Sequence, residues 1–121
     1  MRALMALVLM TGAQAGDIER GRALVEDRTQ SLCLLCHALH SAGDANQGNL
    51  APPLETVAAL SPKELRSRIA DMRRFNPATV MPPFRATDGL RDVAPAWAGR
   101  AVLTEQQLDD IVAYLGTLAK R

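Results

Sequence analysis

The segment "CLLCH" at residues 33–37 constrains this chain more than any other feature. It contains both cysteines of the 121-residue chain and one of its two histidines. Two thiols about one helical turn apart can each form a thioether with a haem vinyl group, and the adjacent His37 is then held against the porphyrin as an iron ligand. We therefore predict one covalently bound haem c with its iron, attached through Cys33 and Cys36, with His37 as the proximal ligand.

Three other interpretations of this segment are possible, but each of them explains less of the sequence. A thioredoxin-like dithiol needs βαβ units, and no strand alternation is present. A structural zinc site would have to gather Cys33, Cys36, His37 and His40 from one short stretch, whereas zinc modules pair their ligands across a longer spacer. A Cys33–Cys36 disulfide would close a very small loop and so would stabilise the fold little.

Helix signals dominate the remainder of the chain and predict an all-α fold. Asp17, Ser61 and Thr104 are candidate N-caps, and the last two begin capping boxes completed by Glu64 and Gln107. Apolar residues recur at helical spacing after each cap. A short helix should carry the cysteines. Two loops rich in Gly, Asn and Pro are predicted at residues 41–55 and 76–102.

The chain has few large side chains with which to fill a core. It has only two Phe, one Trp and one Tyr. A small helical domain of this composition would gain much from a bulky apolar cofactor at its centre. We therefore expect the helices to pack around a single haem.

The second axial ligand can be sought among the remaining sulfur and imidazole groups. Met81 lies in the loop "NPATVMPPF", where the flanking prolines prevent a helix, and a sulfur on such a stiff loop suits an axial thioether. Met72 shares a predicted helix face with Leu65, which favours a core role. His40 follows His37 by three residues, so we expect it at the surface or near the haem edge. The Pro52 carbonyl is our candidate acceptor for the second ring N–H of the proximal histidine.

The first fifteen residues, "MRALMALVLMTGAQA", have the features of a secretory signal peptide. Arg2 forms a short positive region, an apolar run follows, and Ala13-Gln14-Ala15 is a cleavage signal. The run is far shorter than the ~20 residues of a membrane span. We expect a cleaved segment at 1–15, one cytochrome-sized domain at 16–121, a periplasmic location and no membrane span.

The charge of the chain is balanced overall but unevenly spread. With 14 Lys and Arg against 13 Asp and Glu, the net charge is +1, which argues against nucleic acid as a partner. Residues 61–100 nevertheless carry eight basic against four acidic side chains. This segment is either a solvated basic surface or a surface that meets an anionic group, such as a partner or the haem propionates, for which Arg73 or Arg74 are candidates.

Together these features resemble the class I cytochromes c. The resemblance is carried by "CLLCH", the N-terminal helix with Gly21, the Pro and Met loops, and the C-terminal helix with Tyr114. It implies an all-α fold around one haem, in which the first and last helices cross in contact, with Gly21 near Tyr114 and Leu115.

Longer stretches resemble one group within that family, SoxX, the small cytochrome subunit of the SoxAX complexes of bacterial sulfur oxidation. They are "QGNLAPPL", "ELRSRIADMRRFNPATVMPPF" and "GLRDVAPAWAGRAVLTEQQLDDIVAYLGTL". One departure is Ala51 before Pro52, where a glycine is common in the family.

The resemblance implies a specific role. SoxAX couples thiosulfate oxidatively to a cysteine of a carrier protein, the chemistry belongs to the dihaem or monohaem SoxA-like subunit, and the small subunit accepts electrons and passes them to a mobile cytochrome c. No catalytic residue is visible here, so we expect no activity of the chain alone. The alternative is a free-standing electron shuttle. An apolar patch near the haem, which we expect to involve Trp97 and Phe84, would favour the subunit role.

Overall fold

The structure, a computed structural model, describes residues 15–43 and 45–119. The predicted signal peptide therefore lies outside the described residues except for Ala15. Four α-helices and four 3-10 turns follow one another in the described residues, with no strand among them. The helices are α1 (Ile18–Glu26), α2 (Leu54–Val57), α3 (Pro62–Ala70) and α4 (Glu105–Leu118). The 3-10 turns are Cys33–Leu35, His40–Ala42, Met72–Arg74 and Pro95–Trp97. The predicted all-α class is confirmed.

The helix starts are set by the predicted caps. The Asp17 side chain accepts a hydrogen bond from the Arg20 amide, and Ser61 and Thr104 each begin a complete capping box. Such caps satisfy amide groups that have no partner within the helix. Local sequence therefore determines where α1, α3 and α4 begin.

Helices α1 and α4 cross in close contact. A Cβ atom at Gly21 would overlap the Asp110 carbonyl and lie 2.9 Å from the Tyr114 Cβ, so glycine is required for this approach. The crossing also has a polar contact, because the buried Asp110 carboxylate accepts from the Asp17 amide at 2.7 Å and from Arg20 Nε at 2.8 Å. The predicted proximity of Gly21 and Tyr114 is thus present.

Helix α3 also packs against α4. Arg66 of α3 binds both Glu105 and Asp109 of α4. The apolar core lies between the helices and includes side chains from every one of them. Its members include Val25, Leu54, Leu65, Ile69, Leu108, Ile111, Leu115 and Leu118. Within the described part of the chain, no helix has both the length and the apolar character needed to cross a bilayer.

Candidate haem site

A cavity of about 470 Å³ opens beside this core. Side chains from all four helices and from both predicted loops line it, and nearly all of them are apolar. Aliphatic lining residues include Val25, Leu54, Val57, Leu65, Ile69 and Ile111. The cavity is therefore the place where a large flat apolar group would complete the sparse core.

Both cysteines of the motif line this cavity. Cys33 begins the 3-10 turn, and the amides of Cys36 and His37 both donate to its carbonyl, at 3.2 and 2.9 Å. Leu32 precedes the turn in a left-handed conformation with φ of 61°, a strained geometry for a side chain of this size. The two thiols are not joined in a disulfide. Burial raises the pKa of the Cys33 thiol, more than the Ser31 side chain lowers it.

His37 also lines the cavity, and one of its ring nitrogens has a partner. Its Nδ1 lies 2.6 Å from the carbonyl oxygen of Pro52. A carbonyl can only accept, so Nδ1 carries the proton and Nε2 keeps its lone pair. The hydrogen bond that we expected between these two residues is present, although Ala51 stands where glycine is common. The imidazole is thereby held in the tautomer that can bind a metal through Nε2.

The loop that supplies the Pro52 carbonyl is fastened to the haem motif by backbone hydrogen bonds. The Gly48 amide donates to the Leu34 carbonyl at 2.9 Å, and the Ala51 amide donates to the Cys36 carbonyl at 3.0 Å. A Cβ at Gly48 would overlap the Leu35 carbonyl, so the loop approaches this closely only because residue 48 is glycine. The position of Pro52 therefore follows from contacts between two segments, not from its own turn.

Met81 lines the cavity from a different segment of the chain. Its side chain is half-buried and packs against the core, and its amide donates to Thr79 Oγ1 at 3.1 Å. The structure thus brings Cys33, Cys36, His37 and Met81 to one cavity, with Pro52 beside the imidazole.

Our expectation for Met72 is wrong. Helix α3 ends at Ala70, because Asp71 takes an extended conformation and its carboxylate caps the following turn at the Arg73 amide. Met72 therefore lies beyond the helix that carries Leu65 and Ile69, although all three side chains line the cavity. It lies in the 3-10 turn, is only half-buried, and lines the cavity. A second thioether is thus present at the site.

The other polar residues that we considered from the sequence, His40, Arg73 and Arg74, do not line the cavity. His40 is exposed and does not line the cavity, which agrees with its predicted surface position. Arg73 does not line the cavity either, because its guanidinium is bound to Asp71 at 2.8 Å and to the carbonyls of Asp88 and Gly89. Arg74 is exposed and lies outside the lining.

The cation that does line the cavity, Arg68, was missed in our reading of the sequence. Its guanidinium lies 4.4 Å from the centre of the Phe75 ring. The signal was available, since Arg68 follows Leu65 by three residues and so shares the buried face of α3. We assigned that face to apolar side chains alone.

The apolar rim of the cavity also differs from expectation. Phe84 lines the cavity as expected but is only 2% exposed and belongs to the core, whereas Trp97 is 46% exposed and does not line the cavity. Instead Leu50 and Val80 line it while remaining 79% and 84% exposed. These two exposed aliphatic side chains form the apolar rim of the cavity.

The residues present fit a haem c. Two unpaired thiols and an imidazole with a free Nε2 lie along one wall, a thioether lies in another segment, and the space between is lined mainly by aliphatic groups. Thiols can take up the vinyl groups, whereas nitrogen and thioether sulfur are suitable axial ligands of haem iron.

Comparisons with known proteins agree with this site. A sequence model of the cytochrome c family matches residues 18–119. A chain of the crystal structure of SoxXA from P. pantotrophus superimposes with a TM-score of 0.76 and 28% sequence identity, over 87% of this chain and 83% of that one. No curated protein matches the chain. The predicted resemblance to SoxX and the predicted haem c are confirmed, and the chain belongs to the cytochrome c family.

Proposed function

We propose that this chain is the small electron-accepting subunit of a periplasmic, SoxAX-type thiosulfate-oxidising complex. The observation that carries the proposal is its similarity to a chain of SoxXA along most of both chains. The residues of the site support it in two further respects, the ligand set and the apolar rim.

In this proposal Cys33 and Cys36 hold the cofactor covalently. Each S–H adds across a vinyl double bond, so a carbon–sulfur bond forms and the thiol proton moves to the other vinyl carbon. When bound, the haem supplies one iron that alternates between ferric and ferrous states and so carries one electron at a time.

The axial ligands proposed are His37 and Met81. His37 binds through Nε2 while its Nδ1–H donates to Pro52, which fixes the ring and raises the basicity of the ligating nitrogen. Met81 supplies its sulfur from the loop on the other side. A His/Met pair raises the reduction potential, which suits an electron acceptor.

The reaction served by these electrons belongs to the proposed partner, a dihaem or monohaem SoxA-like subunit. There the sulfur of a carrier-protein cysteine bonds to the outer sulfur of thiosulfate, the thiol proton is released, and the two sulfur atoms together give up two electrons as the bond forms. The present chain accepts these electrons singly and passes them to a mobile cytochrome c. The described residues provide binding and electron transfer in this scheme, and we assign no catalytic residue to them.

The exposed rim suits a partner that covers it. Among the residues that the structure describes, Leu50 and Val80 are the most exposed large apolar side chains, and both border the cavity. Exposed apolar patches on soluble proteins mark interaction sites. A subunit seated on this rim would exclude water from the haem edge and shorten the path for electrons.

The test is co-expression with a SoxA-like haem protein and a c-type maturation system, followed by pull-down and thiosulfate-dependent haem reduction. We expect co-purification, and reduction of this haem only when partner, thiosulfate and carrier protein are all present. A chain that stays monomeric yet exchanges electrons with small cytochromes would instead be a free shuttle, and the subunit proposal would be wrong.

A charge introduced on the rim tests whether the rim is the interface, and the same charge placed elsewhere is the matched control. Val80→Asp should weaken co-purification at least tenfold, because a carboxylate would be buried in the interface. Ile18→Asp places the same charge on a 46% exposed side chain at the start of α1, outside the cavity lining, and should leave binding unchanged. Equal effects of both variants would argue against the rim as the interface.

A further inference from the structure

The long loop before α4 contributes to neither the core nor the cavity. We call residues 86–102 the Trp loop, after Trp97, the only tryptophan of the chain. None of its residues is buried, and every residue from 87 to 100 is exposed. None of them lines the cavity or packs against the core as the structure describes them. Loops longer than about 12–15 residues are uncommon in compact domains and usually serve a function.

The Trp loop is nevertheless held in a defined shape. Its two ends meet, because the Leu103 amide donates to the Phe84 carbonyl at 3.1 Å. Near its start, the Arg73 guanidinium donates to the carbonyls of Asp88 and Gly89, at 3.3 and 3.2 Å. Surface loops whose ends lie close together in this way are frequently functional. The loop is therefore an ordered part of the surface that the core does not require.

Trp97 is ordered by contacts that do not bury it. It ends the 3-10 turn Pro95–Trp97, and the Arg100 guanidinium stacks on its ring, 5.1 Å from the ring centre. The Arg100 side chain is itself held by a hydrogen bond to the Ala96 carbonyl at 3.1 Å. The indole still remains 46% exposed. A tryptophan that is already ordered loses little conformational entropy when a partner covers it, and tryptophan is enriched among the residues that dominate binding energy.

Other apolar side chains of the Trp loop are exposed as well. Leu90, Val93 and Val102 are each more than a third exposed. Together with Trp97 they make up almost half of the large apolar side chains that are exposed in the described part of the chain. Apolar groups concentrated on a protein surface mark an interaction site. The Trp loop therefore has the composition of a binding surface.

The charge of the Trp loop favours a stable partner over a transient one. It contains two aspartates and two arginines, so its net charge is zero. Partners that meet only briefly are guided to each other mainly by opposite charges. Permanent interfaces are larger and more apolar. A tryptophan and aliphatic side chains on a neutral loop therefore suit the larger subunit better than a mobile cytochrome c.

The rim of the cavity is too small to hold such a subunit by itself. A stable interface takes about 20–30 residues, or roughly 800 Å², from each partner. The rim offers Leu50 and Val80 as its exposed apolar side chains. The Trp loop adjoins the wall of the same cavity, because Phe84 lines the cavity and Arg73 directly follows Met72, which also lines it. An interface that begins at the rim can therefore continue onto the loop.

We propose that the Trp loop is a second part of the surface that binds the SoxA-like subunit, and that Trp97 inserts into an apolar pocket of that subunit. The rim then covers the opening of the haem cavity, and the loop supplies much of the affinity. This inference rests on the proposed function, since it states where the proposed partner binds.

Trp97→Ala tests the affinity. With the purified SoxA-like haem protein, we expect the dissociation constant of the complex to rise at least tenfold. Haem content and the visible spectrum should be unchanged, because Trp97 lies outside the core and the cavity lining. Ile18→Ala is the matched control, since Ile18 is also 46% exposed but lies at the start of α1, and it should leave the dissociation constant unchanged. Equal dissociation constants of the two variants would contradict the inference.

Oxidation of Trp97 by hydroxyl radicals, followed by mass spectrometry, measures the contact directly. We expect oxidation at least tenfold slower in the complex than in the free chain. If Trp97 stays equally reactive in a complex whose haem is reduced by thiosulfate, this inference is wrong and the proposed function stands. If the wild-type chain forms no complex, the proposed function fails and this inference fails with it. A Trp97→Ala variant that keeps the complex but no longer reduces a mobile cytochrome c would assign the loop to that carrier and would also contradict the inference.

Discussion

The segment that carries His37 and the segment that carries Met81 face the same cavity but are held by different contacts. We call residues 31–54 the His wall and residues 72–84 the Met wall. In the His wall, the motif and the following loop are joined by backbone hydrogen bonds such as Leu54 N–H to the Ala38 carbonyl at 2.8 Å, and Gln47 binds both backbone groups of Leu39.

The Met wall is held mainly by short-range turns. The Thr79 amide donates to the Asn76 carbonyl, and the Met81 amide donates to the Thr79 hydroxyl. Its backbone ties to other segments are at its end, where the Phe84 carbonyl accepts from the Leu103 amide at 3.1 Å and the next residue, Arg85, donates its amide to the Ala70 carbonyl at 3.0 Å. Regions with few long-range contacts open at lower free energy. The comparison teaches that the fold pre-positions the imidazole, while the thioether lies on a segment that can move more easily.

The largest effect should come from the His wall itself. His37→Ala removes the proposed iron ligand that is presented with its Pro52 hydrogen bond, so we expect at least a tenfold loss of stable holoprotein. Haem content per polypeptide after purification measures this. His40→Ala should give a wild-type yield, because His40 is exposed and outside the cavity lining. A normal visible spectrum in His37→Ala would overturn the ligand assignment.

A substitution in the Met wall should remove an iron ligand without detaching the haem. In Met81→Ala the haem stays attached through both cysteines, but the long-wavelength Met–iron charge-transfer band of the ferric protein should disappear. Met72→Ala tests the second thioether at the cavity and should keep that band at full intensity. Absorption spectra of the two ferric variants separate the assignments, and the reverse pattern would make Met72 the ligand.

Two glycine-to-alanine substitutions compare a closely packed position in the His wall with a position in α4 that has free space around it. Gly48→Ala forces a Cβ against the Leu35 carbonyl, so we expect a loss of about 1–3 kcal/mol in the free energy of unfolding. Gly116→Ala, in α4, meets nothing within 4 Å and should stabilise the protein by about 0.5–1 kcal/mol. Urea unfolding followed by circular dichroism measures both. Equal stability of the two variants would mean that the loop and the motif are not tightly joined.

The smallest expected effect is a weakening of the Met–iron band at acidic pH. The hydrogen bond from Arg73 lowers the pKa of Asp71 below its ordinary value of 3.8, although partial burial opposes this. A lowered folded-state pKa means that the stabilisation is complete above the unfolded value and is lost as the pH falls through the folded one.

Acidification should therefore loosen the turn that begins the Met wall. The Met–iron band of the wild type should weaken at a pH below 3.8, while haem content is unchanged. Asp71→Asn should lose this dependence and show a slightly weaker band at neutral pH. Spectra recorded along an acid titration provide the check, and an unaltered acid transition in the variant would rule out Asp71 as its source.

Much of the fold could be predicted from the sequence, because its signals are local. The capping boxes at Ser61 and Thr104 act within a single turn, and the spacing of Cys33, Cys36 and His37 is set along one short segment. The Pro52 hydrogen bond was also foreseen, from the chemical need of a ligating imidazole for a second partner. The signal peptide and the periplasmic location remain predictions.

The tertiary structure decided what depends on the end of an element or on a neighbour distant in sequence. Met72 lies in a 3-10 turn and not in α3, because Asp71 is extended and caps the new turn, which helical periodicity alone does not reveal. Phe84 is buried and Leu50 is exposed because of how the two loops pack. Arg68 is left as the charged group of the cavity because its neighbours find acids on α4 and in adjacent turns. The cofactor and the helices that surround it could be predicted from local sequence, since short-range geometry is sufficient for both. Only the packing of distant segments determined which charges stay unpaired and which side chains surround the opening.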